Sequence, residues 1–337
     1  MIDLLEQWFL ENWRPEFGAP RPQRLGFVKT ASSGAGLPAK ERESKIFFFA
    51  FHGRASQPFA IVKIPRYARA AAALEREHWT LRAVAGDETL SAAFLKTVPT
   101  PLFFGDLGVE KAAVQSVLAG CVVRGAGRAP SRRANALFQK RLAPATRWLR
   151  DFTPFATCGP VVFSEAPLHS WFLVPLQRMR QAAAMAGRNV DPLCADILKD
   201  ADTLADATFN HVRQHGDFTL SNVTYERGAC RVVDFEHFGL EKNPLFDVLW
   251  FVRSLGITSY GGHVYQAGPV QDALRNAAAH ALGDAATPAA MRALYAQALV
   301  QLFNRKFDFR PDNQSTMESL LSTFIPELEA LRALFAA

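Results

Sequence analysis

Apolar and polar positions change their period along the chain. Leu4, Leu5, Trp8, Phe9 and Trp13 share one broad face at helical spacing, which predicts a short amphipathic helix over residues 1–13. From residue 25 to about 119 the pattern turns to strands. Leu25–Thr30, Ile46–Phe51 and Phe59–Ile64 read as three of them, with His52-Gly53-Arg54-Ala55-Ser56-Gln57-Pro58 as a turn. Ala70–Ala85 then reads as a helix whose stripe is Leu74, Leu81 and Val84. Leu102–Gly105 and Ala112–Leu118 complete a small sheet. After Gly120 the pattern is mostly helical, over Ala134–Phe152, Pro192–Arg213 and several segments from Val270 onward, with one β insertion at 222–235. A β-rich part with one helix, followed by a long helical part, predicts an α+β protein of two lobes with a cleft between them.

Three segments follow from this pattern: 1–24 as helix and lead-in, 25–119 as a sheet-bearing lobe, and 120–337 as a helical lobe. With 49% apolar and 21% charged residues, the 337-residue chain has ample material for a core, which excludes disordered, collagenous and disulfide-scaffold classes. Cys121, Cys158, Cys194 and Cys230 show no CxxC pairing, which argues against a zinc cage and fits a reducing compartment. Acids rather than Lys or Arg open the chain, and no apolar run approaches the ~18 residues of a membrane span. A cytoplasmic protein without a transmembrane segment is expected. The excess of 38 basic over 32 acidic residues is +6, too modest to indicate a specific nucleic-acid partner.

The chemistry concentrates in His215-Gly216-Asp217-Phe218-Thr219-Leu220-Ser221-Asn222 and Val232-Val233-Asp234-Phe235-Glu236. Asp217 and Asn222 are five positions apart, the D-x-x-x-x-N spacing of a phosphoryl-transfer loop. Val223–Glu226 and Cys230–Val233 read as a hairpin turning at Gly228, which sets Asn222 beside Asp234 at its open end. Asp217 lies one short loop upstream. Three oxygen-bearing side chains then suit a hard cation such as Mg2+, which keeps waters and bridges phosphates. Lys63 ends the apolar strand Phe59-Ala60-Ile61-Val62, a position that calls for snorkelling or an anion. Glu77, on the following helix, projects near the Leu74/Leu81 stripe, whereas its rival Glu75 has a poorer inward face. Lys63 holding phosphates and oriented by Glu77 completes a phosphoryl-transfer set. Ala31-Ser32-Ser33-Gly34-Ala35-Gly36 is a weak candidate for phosphate cover, being neither GxGxxG nor GxxxxGK[ST].

With Pro244-Leu245-Phe246-Asp247, these motifs resemble the aminoglycoside phosphotransferase/choline-kinase-like family over roughly residues 25–253. The resemblance implies a protein-kinase-like two-lobe fold, with a small antiparallel sheet and one helix in the first lobe and a mostly helical second lobe. It implies ATP and Mg2+ as cofactors, Asp217 as catalytic carboxylate, Asn222 and Asp234 as metal ligands, and Lys63 as phosphate lysine. Ala113-Val114-Gln115-Ser116-Val117-Leu118-Ala119-Gly120 is similar to the family's interlobe hinge, which makes Ser116 and Val117 adenine-binding candidates. His215 and Asp247 are expected to brace the catalytic loop. Gly216 stands where protein kinases have Arg, and Glu236 where they have Gly; both favour a small-molecule acceptor.

Residues 124–150 hold Arg124, Arg128, Arg132, Arg133, Lys140, Arg141, Arg147 and Arg150 and no acid. That run suits an anionic acceptor, such as a phosphorylated or uronic sugar, or peripheral contact with an anionic membrane. The leading expectation is an ATP-dependent kinase acting on a hydroxyl of a small molecule: a sugar, a glycoconjugate or an antibiotic-like acceptor. A nucleotide-binding pseudokinase is the second reading, and a metal-dependent hydrolase built on His215, Asp217, Asp234, Glu236 and His237 the third.

Overall fold

The protein was analysed as a computed structural model that describes residues 1–17, 21, 23–31, 45–53, 55–108, 110–122, 131–164, 168–205, 207–308 and 314–336. The chain divides into two compact units, one of residues 1–122 and 222–238 and the other of 123–221 and 239–337. The hairpin after residue 222 therefore groups with the sheet unit, although the expected 120–337 lobe included it.

In the first unit, α1 (Ile2–Glu11) precedes β1 (Leu25–Ala31), β2 (Lys45–His52) and β3 (Pro58–Pro65). Helices α2 (Ala68–Ala85) and α3 (Ala92–Leu95) lead to β4 (Pro101–Leu107) and β5 (Glu110–Ser116). These five strands form one sheet in the order β1-β2-β3-β5-β4, all pairs antiparallel. Strand alternation gives the sheet two unlike faces. Phe48, Ala50, Ala60, Val62 and Ile64 pack on one face with Leu5 and Phe9 of α1. Phe9 meets Phe17 and Phe59 edge to face at 5.3 and 5.5 Å. The odd-numbered positions, Lys45 and Phe47 on β2 and Ile61 and Lys63 on β3, turn to the other face. A second sheet joins β6 (Cys121–Val122), β9 (Val223–Glu226) and β10 (Ala229–Val232) in the order β10-β9-β6.

The second unit begins at α4 (Arg132–Ala156), capped by Ser131, whose hydroxyl accepts from the Ala134 N–H at 3.1 Å. It continues through α5 (Val174–Met185) and α6 (Asp191–Asp202) to α7 (Phe246–Tyr260), α8 (Gly268–Leu282), α9 (Pro288–Asp308) and α10 (Gln314–Leu334). The helix expected over Pro192–Arg213 ends early, at Asp202. Thr208–Val212 is instead strand β8, pairing with β7 (Thr157–Val162) in a second β element not foreseen after Gly120. Thr208 and Val212 are β-branched and Phe209 aromatic, and the partner strand lies 46 or more positions away, so only tertiary pairing selects the strand. Helix α7 is buried along most of its length and approaches its neighbour so closely that a Cβ on Gly256 would lie 2.2 Å from Val264. No helix among the described residues is long and apolar enough to cross a membrane.

Candidate active site

Lys63 is 5% exposed on β3, and its Nζ donates to both carboxylate oxygens of Glu77 at 2.7 Å. Glu77 is 1% exposed, on the face of α2 that also buries Leu74, Leu81 and Val84, while Glu75 is exposed. The helix period thus chooses between the two glutamates as the spacing argument did. The Glu77 carboxylate also accepts from the Phe235 N–H at 3.3 Å, tying α2 to the segment that carries Asp234. Asp234 Oδ1 lies 3.7 Å from the Lys63 ammonium. Burial pulls the Lys63 pKa down, but the Glu77 and Asp234 carboxylates outweigh it and the value is raised. Lys63 is therefore a fixed cation.

The hairpin turns at Arg227-Gly228, with φ of 49° and 83°, a two-residue turn of the kind that matches strand twist. Glu226 pairs with Ala229 and Val223 with Val232, so Asn222 faces Val233, and the Val233 N–H donates to the Asn222 carbonyl at 2.9 Å. The sequence reading centred the turn on Gly228 and set Asn222 opposite Asp234. A two-residue turn moves the register by one, and Asp234 is the next residue beyond the pair. Asp234 has a left-handed backbone, φ 71° and ψ 66°, and its side chain is 28% exposed, against 6% for Lys63.

Two residues here escaped the sequence reading as a site. Lys45, 5% exposed, forms an ion pair with Glu236, and Arg76 Nε donates to the Glu236 carbonyl at 2.6 Å. Burial and the Asp234 charge push the Glu236 pKa up to about 7, against the opposing pull of Lys45. The face of this sheet thus gathers two ammonium groups and the carboxylates of Glu77, Asp234 and Glu236. Among the described residues no three His, Cys, Asp or Glu side chains form a metal cage. Asp234 and Asn222 offer hard oxygen donors, few in number, which fits an ion that keeps waters and takes phosphate oxygens.

In the second unit the loop His215–Leu220 is fastened from below. Asp247 accepts from the His215 N–H at 2.5 Å and from the Gly216 N–H at 2.9 Å. The Gln214 side chain accepts from the Asp247 N–H at 3.1 Å. Gly216 has φ 84°, a conformation that favours glycine, and its carbonyl accepts from Arg305, which also holds Glu241 at 3.0 Å. His215 is fully buried, and its Nδ1 accepts from the Asp217 N–H at 3.3 Å. Phe218, also fully buried, stacks on Trp148 of α4 at 5.4 Å. These contacts leave Asp217 half-buried, with its carboxylate accepting from the Trp250 indole N–H at 2.9 Å. Arg253 and Lys306 lie over the Trp250 ring, 5.5 and 5.9 Å from its centre. Trp250 was legible only as part of the apolar run Leu245–Val252.

Ser116 ends β5, and its N–H already donates to the Thr100 carbonyl at 2.9 Å, while its hydroxyl accepts from the Thr100 N–H at 2.8 Å. Its donor is thus committed to the sheet; Val117 lies just past the strand, half-buried. Residues 32–36 of the proposed phosphate cover lie outside the described residues, as do Arg124 and Arg128 of the basic run. Arg132, Arg133, Lys140, Arg147 and Arg150 are exposed on α4.

The phosphotransferase enzyme family (APH) model matches residues 49–294, and the chain belongs to that family of small-molecule phosphotransferases. A comparison with curated proteins finds no match. Among solved structures, a candidate aminoglycoside phosphotransferase from Ralstonia eutropha JMP134 is 13% identical with a TM-score of 0.54, covering 99% of this chain and 98% of that one. Choline kinase from Cryptosporidium parvum Iowa II is 8% identical with a TM-score of 0.51, covering 100% of both chains. At such identities the likeness is one of fold: an α+β, protein-kinase-like architecture with an antiparallel N-terminal sheet and a helical C-terminal part.

Proposed function

We propose that the protein transfers the γ-phosphoryl group of ATP, bound with Mg2+, to a hydroxyl of a small molecule. The observation that carries this reading is the buried Lys63–Glu77 pair with Asp234 at 3.7 Å from the same ammonium. A buried ion pair is a poor source of stability, whereas a fixed ammonium beside a partly exposed carboxylate suits phosphates and a metal ion. Lys63 holds phosphate oxygens, Asp234 and Asn222 hold the metal, and the backbone at Val117 meets the adenine edge. The metal, when bound, neutralises charge on the transferred group.

Asp217 takes the acceptor proton. The acceptor oxygen forms its bond to the γ-phosphorus as the bond from that phosphorus to the β–γ bridging oxygen breaks; ADP leaves with the electron pair. Trp250 holds one oxygen of Asp217, which keeps the carboxylate in one orientation. Because Arg253 and Lys306 occupy the face of the Trp250 ring, an ammonium acceptor finds that ring already taken. The basic run on α4 favours an anionic acceptor such as a phosphorylated or uronic sugar.

The test is γ-phosphate transfer from labelled ATP with Mg2+ across neutral, anionic and cationic sugars, amino alcohols and aminoglycosides, paired with thermal shift by Mg2+-ATP. A nucleotide that binds only the folded state must raise the melting temperature. No shift at millimolar Mg2+-ATP refutes nucleotide binding, and transfer confined to cationic acceptors refutes the acceptor class.

A further inference from the structure

Lys45 has no part in the set just described, yet it is buried as deeply as Lys63. The two share a sheet face by register, because Phe47 pairs with Lys63 and Lys45 with Pro65 across antiparallel β2 and β3. Lys45 is the first residue of β2, directly after a β1–β2 connection whose sequence lacks the glycine pattern that usually covers phosphates. Its partner Glu236 lies two residues beyond Asp234, at 9% exposure. Two lysines thus bracket Asp234, one placed by Glu77 and one by Glu236.

As a source of stability the Lys45–Glu236 pair is a weak device, since apolar residues of similar volume serve a core as well or better. As a preloaded cation it makes sense. A carboxylate holds the ammonium in place while the site is empty, and a phosphate oxygen is an equivalent acceptor when it arrives. We propose that Lys45 is a second phosphate-binding lysine, which exchanges Glu236 for terminal phosphate oxygens of the nucleotide and so supplies the grip that a glycine-rich loop gives elsewhere. This rests on the nucleotide reading of the Lys63 site. Lys45 stays an ammonium throughout, and Glu236 is released into a site that gains the metal's charge.

The decisive comparison is between adenosine, ADP and ATP, with dissociation constants measured by calorimetry on the full chain. Lys45→Met/Glu236→Gln removes one charge of each sign and leaves Lys63, Glu77 and Asp234 in place. The double variant should bind adenosine as the wild type does and lose at least tenfold in ATP affinity, with a smaller loss for ADP. If it binds ATP as well as the wild type, Lys45 is only a counterion, and the nucleotide reading stands without it. If the wild type binds no nucleotide, the nucleotide reading itself falls. Glu236→Gln alone gives a second measurement should the double variant unfold. In EDTA it removes the competing negative charge but keeps the ammonium, so metal-free ATP should bind at least as tightly as to the wild type. Weaker binding of ATP with unchanged adenosine would overturn the exchange.

Discussion

Asp247→Ala tests how the loop His215–Leu220 is held. The substitution removes the acceptor of two buried N–H groups, those of His215 and Gly216. Each orphaned donor costs about 1–3 kcal/mol, so the pair sets about 2–6 kcal/mol. A second effect opposes the first. Burial lifts the Asp247 carboxyl from the ordinary 3.8 to about 7, against the pull of the Gly216 and His215 N–H groups and of Arg305, with Asp217 adding to the rise. A folded-state pKa above the unfolded one gives stability that is complete below about pH 4 and is lost as pH rises through about 7. At about 1.4 kcal/mol per pH unit, that loss reaches about 4 kcal/mol, and alanine escapes it. Asp247→Ala should therefore be most damaging near pH 5 and progressively less so toward pH 8. Urea denaturation at the two pH values reads the difference, and hydrogen exchange at the His215 and Gly216 amides reports the loop itself. A cost that grows with pH, or a variant within 1 kcal/mol of wild type at pH 5 with both amides still protected, would refute the reasoning.

Other outcomes follow from single contacts. Asp217→Asn should keep Mg2+-ATP binding yet lower transfer by about 10²–10⁴-fold, the range of general-base assistance, when both are measured on one preparation. Trp250→Phe removes the indole donor to Asp217 and should lower kcat several-fold with nucleotide affinity unchanged; equal loss in both would point to misfolding. Phe9→Ala, which empties a fully buried position between Phe17 and Phe59, should destabilise the first unit by about 3–5 kcal/mol in thermal or urea unfolding. A cost under 1 kcal/mol would mean that α1 is dispensable to the sheet.

Much of the site could be read in the chain because its residues sit in periodic elements. Lys63 interrupts an apolar strand, and Glu77 falls on the stripe of α2, so each is visible as a charge where burial is expected. The hairpin was visible too, but its register depends on whether one or two residues make the turn, and Arg227-Gly228 decides that only through backbone angles. Lys45 stayed hidden because it flanks an apolar run, where a lysine ordinarily reaches solvent; the partner that buries it is 191 positions away. Trp250 looked like core for the same reason: its indole partner is 33 positions upstream. The hinge candidate Ser116 looked open because the acceptor that commits its N–H is the carbonyl of Thr100, in the loop just before β4. What sequence conveys poorly is a polar contact whose two ends belong to different elements.

The left-handed backbone of Asp234 constrains how this protein can drift. At φ 71° and ψ 66°, only Gly and, among side-chain-bearing residues, Asn and Asp are at ease. On the proposed function, position 234 answers to two independent selections, one on charge and one on chain geometry. A descendant freed from catalysis would lose the first and keep the second. Its substitutions would run to Asn or Gly rather than to the full alphabet, because β-branched and bulky residues would unsettle the backbone between β10 and Glu236. Among related genes, then, Asn or Gly at this column would mark a fold retained after turnover was abandoned, and Val or Leu would mark a chain whose fold here has changed.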